Sequence, residues 1–160
     1  MKTNHEDLPI MERIIASAVV VSRDGKVLMG RKDPKGGGVY ADAWHIPGGG
    51  MRADETLEDA MRRELVEEAP GINLEKATIE RLDNVGKGET IKVVGDVKYW
   101  CRMEFNRFKV SIPEDAETLS RKVRPGDDLV RLRWFSPEEL GKIEHIPGGR
   151  EFFQEIGLIR

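Results

Sequence analysis

A single cysteine, Cys101, stands among 160 residues, which excludes an internal disulfide and a cysteine-based zinc site. Charge of one sign is also scarce: 26 basic against 29 acidic residues leave a net charge of −3. That balance offers no broad basic surface for nucleic acid or an anionic membrane. Long hydrophobic runs are missing too, since Ile14 to Val21 is apolar but far too short to span a bilayer. Met1 to Met11 is polar and acidic, without the regions of a signal peptide, so the expected compartment is the cytoplasm. No low-complexity segment or interdomain linker interrupts the chain. At 39% hydrophobic and 34% charged residues it reads as an ordinary globule. Its length suits one domain at residues 11–160 behind a loose tail at 1–10.

What is present is a mixture of strand and helix signals. Arg13 to Ser22 is rich in Ile and Val, Arg23-Asp24-Gly25 reads as a hairpin turn, and Lys26 to Gly30 returns as a strand. Lys32 to Asp42, with Pro34 and Gly36-Gly37-Gly38, reads as an extended loop on the substrate side. Trp44 to Pro47 then brings the chain back as a short strand into a glycine turn at Pro47 to Gly50. Thr56 with Asp59 resembles a capping box, and Leu57, Ala60, Met61 and Leu65 recur at helical spacing. Pro70-Gly71 ends that helix. Ala77 to Val85 and Thr90 to Val110 read as strands around a Gly86-Lys87-Gly88 turn. Ser111 to Asp128 reads as a polar connection and Leu129 to Phe135 as a strand. Short helices are expected from Ser136-Pro137 and over Glu151 to Ile156. Such irregular alternation predicts an α/β fold, a mixed sheet packed between helices.

The helix that begins after Thr56 ends in acids. Glu58 and Asp59 have Arg62 and Arg63 four residues on, whereas Glu64 and Glu68 have no Lys or Arg three or four positions away. As an i,i+4 like-charge pair, they cost roughly 0.2–0.5 kcal/mol on a free helix. An un-neutralised pair beside a third acid, Glu67, suits a divalent cation, and hard oxygen ligands suit Mg²⁺ or Mn²⁺.

The full pattern is Gly49, five residues, Glu55, seven residues, then Arg63-Glu64-Leu65-Val66-Glu67-Glu68. This resembles the signature of the Nudix hydrolase superfamily, the MutT-like enzymes. The match holds through Glu68 and then departs, because Pro70 takes the place of a glycine and Gly71-Ile72 arrive one residue late. Arg31, Trp44, Pro47-Gly48-Gly49 and the Trp134 to Leu140 stretch extend the likeness. The resemblance implies an α/β/α sandwich around a mixed sheet. It also implies metal-dependent hydrolysis of the pyrophosphate bond in a nucleoside diphosphate linked to another group X, with Mg²⁺ (or Mn²⁺) as cofactor. On that likeness Glu64, Glu67, Glu68 and Asp128 are the catalytic acids, and Gly49, Glu64, Glu67 and Glu68 the metal ligands. Glu55 and Arg63 brace the loop against the helix, and Arg31 and Trp44 face the substrate. Asp127, Glu104 and Glu89 are rivals to Asp128 as the late-loop acid. The partner is a small nucleotide, with no nucleic acid and no membrane expected, and a homodimer is left open. X ranges over nucleotide sugars, ADP-ribose, dinucleoside polyphosphates and (d)NTPs. A non-catalytic nucleotide-binding module of the same fold is the alternative.

Several residues also have plain structural readings. Trp44, Tyr40 and Trp100 fit core packing as well as base stacking, and Cys101 reads as a buried inert thiol. His45 and His145 read as turn or surface residues. His45-Ile46-Pro47-Gly48-Gly49 recurs as His145-Ile146-Pro147-Gly148-Gly149, an echo read as coincidence because no acidic helix follows the second copy.

Overall fold

Turn chemistry closes the first hairpin. Ser22 N–H bonds to the Lys26 carbonyl at 2.9 Å, and Gly25 sits at φ +81°, a left-handed conformation that costs glycine nothing because it has no Cβ. In the computed structural model, which describes residues 5–33, 35 and 42–160, this turn joins β1 (Ile10–Val21) to β2 (Val27–Lys32). β1 starts three residues earlier than Arg13, because Ile10 to Glu12 already pair with Trp100 to Arg102. Before it, His5–Asp7 forms one 3-10 turn whose His5 ring lies 4.4 Å from that of Trp100. Gly36–Gly38 and Tyr40 lie outside the described residues.

The expected glycine turn after Pro47 is a strand, β3 (Gly48–Gly50), laid antiparallel on β1 at Ile15 to Ser17. Ahead of it, Trp44 and His45 make only isolated bridges, to His145 and to Gly30 of β2. Helix α1 (Leu57–Glu68) follows, closed by a complete capping box between Thr56 and Asp59. β4 (Thr78–Arg81) is shorter than the expected Ala77 to Val85 strand.

Gly86 to Gly88 is likewise a strand and not a turn. β5 (Gly86–Val94) runs through these glycines, and the reversal into β6 (Val97–Ser111) falls at Gly95, with φ +59°. The polar connection contains α2 (Ala116–Lys122), whose N-cap Asp115 accepts from the Thr118 N–H. β7 (Leu129–Phe135), α3 (Pro137–Leu140) and α4 (Gly149–Glu155) complete the order.

The strands form one sheet in the order β4-β6-β1-β2-β7, with β3 added to β1 and β5 to β6. β1 and β6 run parallel from Ile10↔Trp100 to Val21↔Ser111, and the other pairs are antiparallel. The sheet is therefore mixed. Alternation along β1 splits its side chains between two cores. Ala16, Ala18 and Val20 pack with Met61 and Leu65 of α1 and Leu119 of α2. Val19, on the other face, joins Phe135, Leu140 of α3 and Phe152 and Phe153 of α4. Helices thus cover both faces, the α/β/α arrangement. Among the described residues no helix is long and apolar enough to cross a membrane.

Candidate active site

A cleft of about 1080 Å³ opens beside β3. Gly48, Gly49, Glu64 and Glu68 form one wall, Met103 and Phe105 of β6 are on the floor, and residues 146–148 with α4 close the far side.

The acidic wall is built from the helix outward. Gly49 needs the absence of a side chain, because a Cβ there would stand 2.5 Å from the Glu64 carboxyl carbon. Its neighbour Gly48 donates its N–H to Glu68 Oε1 at 2.7 Å. Glu68 is 2% exposed, and burial pushes its carboxyl up to about 8 against the opposing pull of the Gly48 N–H.

Arg63 corrects the charge pattern read from the sequence. It does not pair with Asp59, whose carboxylate caps the helix start. Instead its Nε and Nη2 clasp Glu55 at 2.7 and 2.8 Å, its Nη1 meets Glu64 Oε1 at 2.8 Å, and Nη2 also reaches the Gly50 carbonyl at 3.0 Å. Glu67 stands 3.6 Å from the same guanidinium. Glu64 therefore has a cationic neighbour after all, one residue away, which i,i+4 spacing alone does not reveal. The Arg63 hydrogen bonds, with help from the Arg52 N–H, hold Glu55 down to about 2.

The late loop meets the end of α1. Gly126 N–H bonds to the Glu68 carbonyl at 3.0 Å, and Arg124 N–H to the Pro70 carbonyl at 2.9 Å. A Cβ on Gly126 would collide with the Glu67 carbonyl oxygen. Asp127 follows at φ +54°, a left-handed conformation that Asp tolerates better than most residues and that often marks a functional site. Its carboxylate joins Glu64 and Glu67, with one ligand atom from each residue all within 4.8 Å of one another. Asp128, the first choice from the sequence, pairs with Lys32 Nζ at 3.3 Å instead. It still lines the cleft, and its charge is felt by Glu68. The other rivals are occupied elsewhere. Glu89 pairs with Arg102 at 3.4 Å, and Glu104 accepts from Asn106 at 3.2 Å.

Arg31 and Trp44 stack on each other, 5.2 Å from guanidinium to ring, and neither lines the cleft. Trp44 also meets Phe135 edge-on at 4.9 Å, so its packing role is plain. His45 is half-buried, with Nδ1 3.0 Å from the Ile46 carbonyl, and burial lowers its pKa. The two His-Ile-Pro-Gly-Gly segments lie side by side. Trp44 is the link: its N–H bonds to the Glu144 carbonyl at 3.0 Å, and it bridges His145 in parallel. Ile146, Pro147 and Gly148 thereby share the cleft with His45, Gly48 and Gly49, a placement no local pattern announces.

The donor set suits a hard divalent cation. It offers carboxylate oxygens, a backbone approach at Gly49 that a Cβ would fill, and no soft ligand within the group.

Known proteins resemble this chain in sequence and in fold. The RNA pyrophosphohydrolase of Xylella fastidiosa (strain Temecula1 / ATCC 700964) is 48% identical over 50 residues, which are 31% of this chain and 23% of that protein. The chain thus spans about a quarter of the length of that relative. Nucleoside triphosphatase NudI of Enterobacter sp. (strain 638) is 25% identical over 130 residues, 76% of this chain and 82% of its own length. Among solved structures, the Nudix hydrolase RenU from M. Smegmatis superposes with a TM-score of 0.66 at 19% identity, covering 91% of this chain and 84% of that one. The family model for the NUDIX domain matches residues 11–156, and with the acids of α1 gathered at Gly49 the chain belongs to that family.

Proposed function

We propose that the protein hydrolyses the pyrophosphate bond of a nucleoside diphosphate linked to a further group, with Mg²⁺ or Mn²⁺ as cofactor. The observation that carries this reading is the convergence of Glu64, Glu67 and Asp127 within 4.8 Å at the mouth of a nucleotide-sized cleft. Glu64, Glu67, Asp127 and the Gly49 carbonyl would hold the cation, with Glu68 beside them. When bound, it neutralises phosphate oxygens and acidifies the attacking water. Arg63 keeps Glu55, Glu64 and Gly50 in one frame, so the ligands start from fixed positions. Lys32, on the Asp128 side, offers a cation to the substrate phosphates. The names of the relatives favour a nucleoside triphosphate or an RNA as substrate, and the net charge of −3 favours the small nucleotide.

The test is turnover of purified protein on nucleotide sugars, ADP-ribose, dinucleoside polyphosphates and (d)NTPs, with Mg²⁺ and with excess chelator. Hydrolysis of at least one class, abolished by chelation and by Glu64→Gln, is expected. Full activity after exhaustive chelation would remove the metal from the reading. Nucleotide binding without turnover on any substrate would leave a binding module.

A further inference from the structure

Among the cations that line the cleft, Arg107 is distinguished by the aromatic rings on which it lies. Arg107 of β6 lies half-buried, its guanidinium 4.1 Å from the Phe152 ring centre and 5.6 Å from that of Phe105. The guanidinium itself makes no hydrogen bond and no ion pair with the described residues, although the Arg107 carbonyl accepts the Leu82 N–H at 2.9 Å. A side chain on Gly86 would have met it, since a Cβ there would stand 2.8 Å from Nη1. The glycine in β5 therefore leaves room for the guanidinium, which lies with one face on an aromatic ring and five N–H groups to satisfy.

Its neighbours limit what can satisfy them. Glu151 and Glu155 of α4 line the same end of the cleft. Glu155 receives one hydrogen bond, from Asn84 Nδ2 at 3.1 Å to Oε2, and its charge acts on Arg107. A phosphate placed here would face two carboxylates. A neutral ring that offers acceptors to the arginine and donors to a carboxylate would face none of that repulsion. Guanine does so: O6 and N7 accept, while the N1–H and N2–H edge donates. Adenine puts an N6 amino donor where guanine has O6, so it would set donor against donor.

Position fits as well. Gly48 pairs with Ser17, and Ser17 with Arg107, along one row of the sheet. Two strand spacings, about 10 Å, therefore separate the backbone that holds Glu68 from the backbone that carries Arg107. A ribose and one phosphate bridge such a gap.

We propose that the Arg107 end of the cleft is a base subsite that selects guanine over adenine. The Arg107 guanidinium donates to O6 and N7, Phe105 and Met103 supply the apolar floor, and Glu155 accepts from the opposite edge. This rests on the hydrolase reading, since it takes the ligand to be a nucleotide.

GMP and AMP have no anhydride bond, so their binding to the full-length protein by isothermal titration calorimetry tests the subsite apart from turnover. Wild type is expected to bind GMP about tenfold more tightly than AMP or better, the discrimination of one good bidentate pair. Arg107→Gln and Arg107→Lys should both bring GMP to the AMP level and leave AMP unchanged, the lysine variant because it keeps the charge and loses the fork. On GTP the same variants should raise KM with kcat little changed. Equal GMP and AMP affinity in wild type, or a preference that survives Arg107→Lys, overturns the proposal. The wild-type comparison decides even if Arg107→Gln does not fold. A GMP preference without turnover would support the subsite and sink the hydrolase reading. Turnover without base preference would do the reverse.

Discussion

Glu68 carries two demands on one carboxyl. It is buried, and it accepts the Gly48 N–H that fixes β3 to the end of α1. In the metal-free protein burial holds its proton on up to about pH 8, whereas the unfolded chain releases it near the ordinary value of 4.5. The folded state thus binds the extra proton between those two values. The Glu68 contribution to stability is complete below about pH 4.5 and is lost as pH rises through about 8, at no more than ~1.4 kcal/mol per pH unit. Glu68→Gln keeps an acceptor for Gly48 and removes the titration. In chelator, urea melts from pH 4.5 to 9 should show the variant gaining on wild type as pH rises, while turnover with Mg²⁺ falls by orders of magnitude. Parallel stability curves would mean that the carboxyl is already ionised in the fold. Glu55 has the opposite sign. Held down to about 2 by Arg63, it stabilises above its unfolded value and ceases to do so as pH falls through about 2.

At the scale of elements, the site is the meeting of a helix end with a loop. Gly126 lets the loop backbone close on α1, and Asp127 then enters the left-handed region with its carboxylate toward Glu64 and Glu67. Asp127→Asn keeps a residue that tolerates this conformation and removes the charge. It should lower turnover at least tenfold, more than Asp128→Asn, in kinetics at saturating Mg²⁺. The reverse ranking would return the late-loop role to Asp128. Local chemistry made part of this legible from sequence. The capping box of α1, the Asp24-Gly25 turn and the Ser136-Pro137 helix start each depend on residues within a few positions, and each is found where expected. Glycine was less informative. In Gly86 and Gly88 it marks room for Arg107 and Phe105 to lie across a strand, not a reversal. The seven-residue α2 is too short and polar to announce itself by periodicity. Arg63 joining Glu55 and Glu64 depends on where β3 docks, which spacing along α1 does not encode.

For the whole molecule, two cores share one sheet, and only one of them supports the acids. The α4 side is held by Phe152 and Phe153, both buried against Val19, Met29 and Phe135. Phe153→Ala should cost about 3–5 kcal/mol in urea unfolding, the usual range for emptying a buried aromatic site. The loss should appear equally with and without chelator, because the change falls in the core opposite the α1 acids. A cost below ~1 kcal/mol would mean that α4 is only loosely docked.

The pairing of β1 with β6 also sets a timetable for synthesis. Twelve register pairs join Ile10–Val21 to residues 100–111, whereas β2 and β3 together offer β1 only four. The central strand of the sheet therefore leaves the ribosome about ninety residues before its main neighbour exists. At ordinary elongation rates that wait lasts roughly 5–20 s. Throughout it the Ala18-Val19-Val20 segment has the short β2 hairpin beside it at Val21 but neither its β6 partners nor a finished core, so this stretch of the nascent chain stays open to unwanted association until β6 is made.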